Sequence, residues 1–389
     1  MLVLPAMVAG VLYSCATTER TVQVPALKNA VVTVRYVRVL VGSSTRTEPL
    51  IVSTGQPARI WAGDGRTLLD TKQLAAVKVA SYKGAVALGD VTWNLAAMTI
   101  EPAEGDHVSV GAKTYPGLIV LVSRGESVMA INYVQMEDYV AGVVSCEMPI
   151  TFANPACETQ AVAARTYALW NMGQSRLMPY DLKDSQASQV YEGLTKTTIV
   201  GTRAARRTAG VIMVYGSDWE FLPAFYASTC GGYTAPPREM SGAPDIGPLQ
   251  GVPCGYCTAS SRYKWTVTVP ASEMESLLIT AGYVTGRLTD IRVVAAAPGG
   301  WVDAVDIAST GGVKRLTGAA FRQVVGTSKL LSSNFVVSAK DDVFVIDGKG
   351  WGHGVGMCQW GADGMAREGF DYAQILTHYY PGIRLIKIY

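Results

Sequence analysis

Apolar and polar residues alternate in short runs over the first third of the chain. Residues 31–39 have the sequence VVTVRYVRV, and similar runs continue to Ile131, separated by Gly, Asp and Pro. Alternation with a period of two is typical of strands that bury one face, and the separating residues are typical of turns. We therefore predict a β-rich N-terminal region over residues 16–130, built from antiparallel strands.

The period of the pattern then changes, because apolar residues recur three and four positions apart. They are Met136, Tyr139, Val140, Val143 and Val144. This spacing predicts a short amphipathic helix that ends near Ser145, and it places Glu147 on the same apolar face. Desolvation and the helix dipole both disfavour a charged carboxyl at such a position. We therefore expect a raised pKa for Glu147, as a general acid needs at neutral pH.

A second helix is predicted shortly after Pro149, which ends the first one. Asn154 is a suitable N-cap, Pro155 suits the first helical position, and Gly173 suits the end. Arg165 falls on a face of small apolar residues in this helix. Its guanidinium must find hydrogen-bond acceptors there, because an unpaired buried charge would cost several kcal/mol.

Strand-like runs return at residues 210–215 and 263–269, and a glycine-rich run, GKGWGHGVGMCQWGA, covers residues 348–362. Helical patterns follow around residues 365–366 and over residues 372–380. The pattern as a whole predicts an α+β fold that is mostly antiparallel, with a central helix after Glu147.

The glycine-rich run has the composition of a ligand-binding loop. No Lys-Ser or Lys-Thr follows its glycines, so it is not a P-loop. Trp351, His353, Gln359 and Trp360 offer ring faces and hydrogen-bonding groups of the kind that bind sugars. A tight structural loop packed against the core is the alternative interpretation of the same run.

Composition limits the classes of partner. Hydrophobic residues make up 49% of the 389 residues and charged residues 16%, which is typical of a globular protein. A net charge of +2 provides no basic field for a row of phosphates, so we expect no nucleic-acid partner. A weakly charged polysaccharide suits this balance better.

The N-terminus has the pattern of a targeting signal. Residues 1–12 are apolar but too short to span a bilayer, and Cys15 follows them before a polar run. Residues 1–15 therefore predict a lipoprotein signal peptide with a lipid anchor at Cys15, in an exported protein. No Lys or Arg precedes the apolar run, and a buried N-terminal segment or a misplaced start codon is the alternative.

Several segments, in order, resemble the SpoIID/LytB domain family, also called the stage II sporulation protein D family. The similarity is dense over residues 134–234 and 349–381, and it is absent before about residue 120. The segments that carry it have the sequences EDY (137–139), GVVSCEMP (142–149), QAVAARTYA (160–168), QVY (189–191), STCGGYT (228–234) and GWGHGVGMCQWGA (350–362).

The resemblance implies a peptidoglycan lytic transglycosylase that acts outside the cytoplasm, in the periplasm or at the cell surface. Such an enzyme cuts glycan strands, preferentially peptide-stripped ones, and leaves 1,6-anhydro-muramoyl ends. Residues 131–389 would form the catalytic domain, with Glu147 as its acid and base. The resemblance and the chemistry of the side chains together imply a substrate-binding or supporting role for Gln160, Arg165, Tyr167, Gln189, Trp351, His353 and Gln359.

The cysteines leave two interpretations open. Cys254 and Cys257 are separated by two residues and, with Cys230, could supply three thiolates for zinc, although the proposed reaction requires no cofactor. A disulfide with one free thiol is the alternative in an oxidising compartment. Family members often have His at the position of Ala227, and its absence weakens the expectation of a metal. Cys146 and Cys358 replace the usual Ser, and we hypothesise that they pair.

Two other functional interpretations remain. A Cys–His nucleophile would use Cys146 or Cys358 with His353, but the chain has only three His residues. A non-catalytic glycan-binding protein could instead activate a cell-wall amidase, as the LytB name suggests. A pure binding protein has no need of a carboxyl with a raised pKa, so Glu147 favours catalysis.

Overall fold

The computed structural model describes residues 22–23, 31–32 and 36–389, apart from residues 46, 64 and 176. The predicted signal peptide and lipid anchor at Cys15 lie outside the described residues. The chain forms two compact units. The first contains the described residues up to Ile150 with Ala168–Gly210 and Ile388–Tyr389, and the second contains Thr151–Tyr167 and Val211–Lys387. None of the helices in the described part of the chain has the length and apolar character needed to cross a membrane.

The first unit is dominated by antiparallel strands, as the alternating pattern predicted. Most of them belong to a seven-stranded sheet of order β15-β3-β14-β13-β10-β5-β6 or a six-stranded sheet of order β12-β11-β4-β7-β8-β9. The strands before the first helix are β1 Val22–Gln23, β2 Val31–Val32, β3 Val37–Ser43, β4 Leu50–Thr54, β5 Ala58–Ala62, β6 Leu68–Lys72, β7 Val77–Tyr82, β8 Ala85–Leu88, β9 Val91–Thr92, β10 Ala97–Glu101, β11 Val108–Val110, β12 Lys113–Tyr115, β13 Leu118–Arg124 and β14 Ser127–Val134.

Burial follows the alternation along these strands. In β3, Val37, Val39 and Val41 are buried and the residues between them are partly exposed. The hairpin of β13 and β14 pairs Leu118 with Tyr133 at one end and Arg124 with Ser127 at the turn. β14 also pairs with β3, so it lies inside the sheet and leads directly into the first helix.

The helices confirm the change of period in the sequence. They are α1 Met136–Glu147, α2 Asn154–Gln174 and α3 Ile199–Arg207, with the short strand β15 Leu182–Lys183 between the last two. α1 extends two residues beyond the predicted end, so that Glu147 is its last residue. α2 begins at Asn154, one residue before the predicted first helical residue Pro155, and its residues up to Tyr167 belong to the second unit.

The second unit contains smaller sheets and four further helices. Its sheets have the orders β17-β16-β26, β18-β25, β19-β24-β23 and β20-β21-β22, and only the pair β18-β25 is parallel among them. The elements are β16 Val211–Tyr215, β17 Glu220–Phe221, β18 Tyr226–Ala227, β19 Lys264–Pro270, α4 Ala271–Thr280, β20 Leu288–Ala296, β21 Val302–Ser309, β22 Gly312–Leu316, α5 Gly318–Val325, β23 Phe335–Lys340, β24 Val343–Lys349, β25 Met357–Cys358, α6 Gln359–Arg367, α7 Tyr372–Tyr379 and β26 Arg384–Lys387. Three 3₁₀ turns lie at Pro237–Glu239, Gly247–Leu249 and Pro298–Gly300.

The stretch from β19 to β24 has a hydrophobic core of its own. Its buried side chains come from the sheets β19-β24-β23 and β20-β21-β22 and from α4 and α5, and they include Met274, Ile307, Phe321 and Ile346. This stretch enters and leaves through neighbouring strands, because β19 pairs with β24 along its whole length. The whole fold is therefore α+β and mostly antiparallel, with a β-rich N-terminal region, as predicted.

Candidate functional site

Glu147 is held by the segment that contains Gln189 and Val190. The carboxyl is half-buried, and its Oε1 accepts a hydrogen bond of 2.9 Å from the backbone N–H of Val190. Tyr139, two turns earlier in α1, donates its hydroxyl to Gln189 Oε1 at 2.9 Å. A backbone N–H stabilises the ionised carboxyl, so this bond opposes the desolvation and helix-dipole effects expected from the sequence. The segment therefore fixes the position of the carboxyl as well as its electrostatics.

The segment can lie this close to Glu147 because Tyr191, the residue after Val190, packs closely against α1. Tyr191 is fully buried, its ring centroid lies 5.1 Å from that of Tyr139, and its hydroxyl donates to Asn132 Oδ1 at 3.0 Å. A Cβ atom added to Gly142 would lie 2.6 Å from Cε2 of the Tyr191 ring. Gly142 is therefore required by contact with Tyr191, because a side chain there would displace the ring and the residues before it.

Gln160 and Arg165 are among the fully buried polar residues of α2 in the second unit. Arg165 is 0% exposed, and its Nη1 donates to the carbonyl oxygen of Val211 at 2.9 Å, as the sequence required of a buried guanidinium. Gln160 is also 0% exposed, and its Oε1 accepts from Gln359 Nε2 at 3.3 Å. Gln160 Nε2 has no hydrogen-bond partner among the described residues. Arg165 is thus bonded to the start of β16, and its role in substrate binding or in supporting the glutamate stays a prediction.

Aromatic rings connect α2 to the glycine-rich segment in the same unit. The ring of Phe225 lies 5.9 Å from that of Tyr167 and 6.2 Å from that of His353. His353 Nδ1 accepts from the backbone N–H of Val355 at 3.1 Å, so the proton of the neutral ring is on Nε2. Burial lowers the pKa of His353 to about 4, so it is neutral at neutral pH. His353 therefore suits hydrogen bonding, and it is no general acid near pH 7.

The glycine-rich segment is fastened to the core through its backbone. Thr229 and Trp351 exchange two backbone hydrogen bonds of 3.1 and 2.7 Å, and Gly354 accepts from the N–H of Ala235 at 2.8 Å. Gly354 has a φ of +74°, and a Cβ atom there would lie 2.2 Å from the buried ring of Trp301. The backbone of this segment is therefore packed tightly against the core, as the structural-loop interpretation of the sequence expected. The side chain of Trp351 is nevertheless exposed.

Trp351 is the accessible side chain, since 47% of its surface is exposed. The guanidinium of Arg262 lies 5.7 Å from the centre of the Trp351 ring, within cation–π range. An exposed indole face next to a cation suits a sugar ring that carries an acidic substituent. Arg262 was missing from the residues selected by sequence, because no motif surrounds it and only the fold brings it to Trp351.

Four cysteines form a buried cluster in the second unit. Cys230, Cys254, Cys257 and Cys358 are all buried, and their Sγ atoms all lie within 4.8 Å of one another. Hydrogen bonds from Cys230 and Cys257 lower the pKa of the Cys254 thiol, and burial raises that of Cys358. The sequence had indicated the first three as a group. Cys358 was missed, and its only signal was that it replaces a usual Ser.

The remaining cysteines do not support the other thiol hypotheses. All six cysteines in the described part of the chain are free, so the hypothesised pair of Cys146 and Cys358 is not formed. Burial raises the pKa of Cys146, which disfavours a thiolate nucleophile. Cys157 is a buried thiol outside the cluster. Because His353 uses Nδ1 for Val355 and Cys358 belongs to the cluster, the Cys–His interpretation finds no support in this unit.

Comparisons with known proteins place these residues in context. The SpoIID family profile, described as stage II sporulation protein, matches residues 124–215. Stage II sporulation protein D of Bacillus subtilis is 30% identical over 279 residues, which cover 66% of this chain and 76% of that protein. The chain belongs to the SpoIID family. The profile match contains five of the predicted site residues, namely Glu147, Gln160, Arg165, Tyr167 and Gln189.

Other relatives extend the picture of this SpoIID-family chain. An uncharacterized protein of Brachyspira hyodysenteriae is 30% identical over 296 residues, which cover 72% of this chain and 74% of that protein. An amidase enhancer of Bacillus subtilis is 28% identical over 295 residues, which cover 63% of this chain but only 40% of the enhancer. A domain of unknown function, DUF8618, matches residues 255–356, which include the stretch with its own core.

The contact between Gly142 and Tyr191 leads to a stability prediction. We expect Gly142→Ala to destabilise the protein by about 1–3 kcal/mol, because the methyl group overlaps the Tyr191 ring. Alanine otherwise favours a helix over glycine by about 1 kcal/mol. Gly173→Ala in α2 is the matched control, since its added Cβ meets nothing within 4 Å, and it should be neutral or stabilising. Urea unfolding measures both, and equal effects would contradict the tight contact.

The pKa of His353 leads to a pH prediction. The pKa is 6.5 in an exposed imidazole and about 4 here, so the unfolded chain binds more protons between these values. Stability should therefore fall as the pH drops through this window, by about 1–2 kcal/mol from pH 7 to 5 for this group. His353→Asn should remove that part of the slope, while Asn Oδ1 can still accept from Val355.

Urea unfolding of the wild-type protein and of His353→Asn at pH 7 and pH 5 gives the free energy of unfolding of each. The contribution of His353 is the difference between the two proteins in how much this free energy changes with pH. His107→Asn is the control, because it removes an imidazole whose side chain is 45% exposed. The same slope in His353→Asn as in wild type would show that His353 titrates normally.

Proposed function

We propose that this SpoIID-family protein is a lytic transglycosylase that cleaves peptidoglycan glycan strands outside the cytoplasm. The observation that carries the proposal is the half-buried carboxyl of Glu147, with one oxygen fixed by the N–H of Val190. Family membership supports a role in the cell wall. Peptide-stripped strands are the proposed substrate, and a lipid anchor at Cys15 with an extracytoplasmic location is part of the same proposal.

A single carboxyl is sufficient for this chemistry. Glycoside hydrolases ordinarily use two, one as an acid and the other as a nucleophile or as a base for water. In a lytic transglycosylase, the C6 hydroxyl of the muramoyl sugar attacks its own anomeric carbon, while the bond from that carbon to the leaving oxygen breaks. Glu147 gives its proton to the leaving oxygen and takes the proton of the C6 hydroxyl, so water is not consumed.

The hydrogen bond to Val190 assigns different tasks to the two carboxyl oxygens. Oε1 already accepts an N–H, so in the acid form the transferable proton is carried by Oε2. The N–H also restricts rotation of the carboxyl and stabilises the carboxylate that remains after proton donation. A fixed carboxyl supports an acid and base better than a mobile surface glutamate would.

The other predicted residues serve substrate binding or support in this proposal. Trp351 presents an exposed indole for stacking on a sugar, with Arg262 beside it. Gln160 Nε2 is a buried donor without a partner in the described residues, and such a donor favours a polar ligand or water. Gln359 orients Gln160 through the bond between their amides. The reaction needs no cofactor.

Glu147→Gln tests the proposal directly. We expect at least a ~10³-fold loss of anhydro-muramoyl ends from peptide-free glycan strands, because the amide cannot transfer the proton. The fold should be retained, since the amide oxygen of the variant can still accept from Val190. Glu192→Gln is the matched control, as it removes the same charge from another half-buried side chain, two residues after Val190.

Mass spectrometry of the released glycans measures the anhydro ends, and the thermal unfolding midpoint measures the fold. Full activity in Glu147→Gln would contradict the acid and base role. Equal losses in both variants would mean that charge in this region, and not proton transfer by Glu147, sets the rate.

A second candidate function is a non-catalytic glycan-binding activator of a cell-wall amidase. The relative named amidase enhancer favours it, although this chain matches only 40% of that protein. The two functions differ in what the protein does alone. A transglycosylase makes anhydro ends without a partner, whereas an activator makes none. An activator would also raise the turnover of the amidase, and the Glu147→Gln variant would do so as well as the wild-type protein.

A further inference from the structure

We propose that the four buried thiols of Cys230, Cys254, Cys257 and Cys358 bind one zinc ion. The ion would fasten three separate segments of the second unit to one another. This site is independent of the proposed catalytic function, because none of its ligands takes part in that reaction. It also extends the sequence prediction, which had only three cysteines and left a disulfide equally open.

The distances between the sulfur atoms suit one tetrahedral ion. A Zn–S bond of about 2.3 Å places the sulfurs of a tetrahedron about 3.8 Å apart. The Sγ atoms of Cys230 and Cys257 are 3.7 Å apart, and all four lie within 4.8 Å of one another. In a disulfide the two sulfurs would be only about 2.05 Å apart. The observed separation is too long for a disulfide and fits sulfurs that surround a single ion. A cluster of several irons would need a wider cage.

Hydrogen-bonding groups lie next to two of the sulfurs. Cys358 is the N-cap of α6, and its Sγ accepts from the N–H groups of Gly361 at 3.3 Å and Cys230 at 3.2 Å. The hydroxyl of Tyr379 lies 3.1 Å from Cys254 Sγ. Such hydrogen bonds around a metal site orient the ligands and moderate their charge. Four thiolates buried without a cation would repel one another, so the arrangement suits a divalent ion.

The ligands come from segments that are distant in sequence. Cys230 follows β18, Cys254 and Cys257 precede β19, and Cys358 ends β25. Cys230 and Cys358 are 128 residues apart. Because β25 pairs with β18 and Thr229 is bonded to Trp351, the ion would lie at the base of the glycine-rich segment. Its binding energy would then contribute to the stability of this part of the fold.

Metal analysis of the purified full-length protein tests the proposal. We expect one zinc ion per chain, and a loss of at least ~10-fold in bound zinc in Cys358→Ser and Cys257→Ser, which each remove one ligand. Cys157→Ser is the matched control, because Cys157 is equally buried but lies outside the cluster. It should keep one zinc ion per chain.

Replacement of zinc by Co²⁺ in the wild-type protein keeps the test decisive even if the ligand variants fail to fold. Four thiolates around Co²⁺ should give strong thiolate-to-metal absorption in the near ultraviolet and intense visible bands of a tetrahedral ion. The proposal would be overturned by a folded wild-type protein that contains no zinc, or that contains iron in its place. It would also be overturned by a mass lowered by disulfides within the cluster, or by undiminished zinc in Cys358→Ser.

Discussion

The hydrogen bond from the N–H of Val190 to Oε1 of Glu147 depends on how closely an extended segment can lie against α1. Gly142 has no side chain, and the ring of Tyr191 occupies the space that a side chain would need. Tyr139 then donates its hydroxyl to Gln189 Oε1, and Asn132 Oδ1 accepts from the hydroxyl of Tyr191. The position of the carboxyl is therefore a consequence of packing along the whole helix face and not of one local bond.

This arrangement balances opposing effects on Glu147. Partial burial and the C-terminal end of a helix favour the protonated carboxyl, whereas the N–H of Val190 favours the ionised one. For the acid and base role that we propose for Glu147, it is an advantage that neither form is favoured by every one of these effects. His353 illustrates the contrary case in the second unit, because burial alone leaves it neutral and suited only to hydrogen bonding.

Local patterns predicted the elements well, because each depends on neighbours along the chain. The apolar spacing in α1 and the Asn154-Pro155 start of α2 gave helices at nearly the observed positions. Burial of Arg165 among small residues also required an acceptor, and the carbonyl of Val211 is one. We expected a raised pKa for Glu147 from the effects of its own helix alone. Nothing in the neighbouring sequence indicates that the N–H of Val190 donates to this carboxyl.

The sequence by itself determined the α+β class, the first helix to within two residues of its end and the family of the chain, because these follow from residue spacing and ordered motifs. Only the tertiary structure decided that Cys358 joins Cys230, Cys254 and Cys257, and that Arg262 lies over Trp351. The reason is physical. Such contacts join residues that are far apart in sequence, and long-range packing brings them together without leaving a periodic signal in the chain.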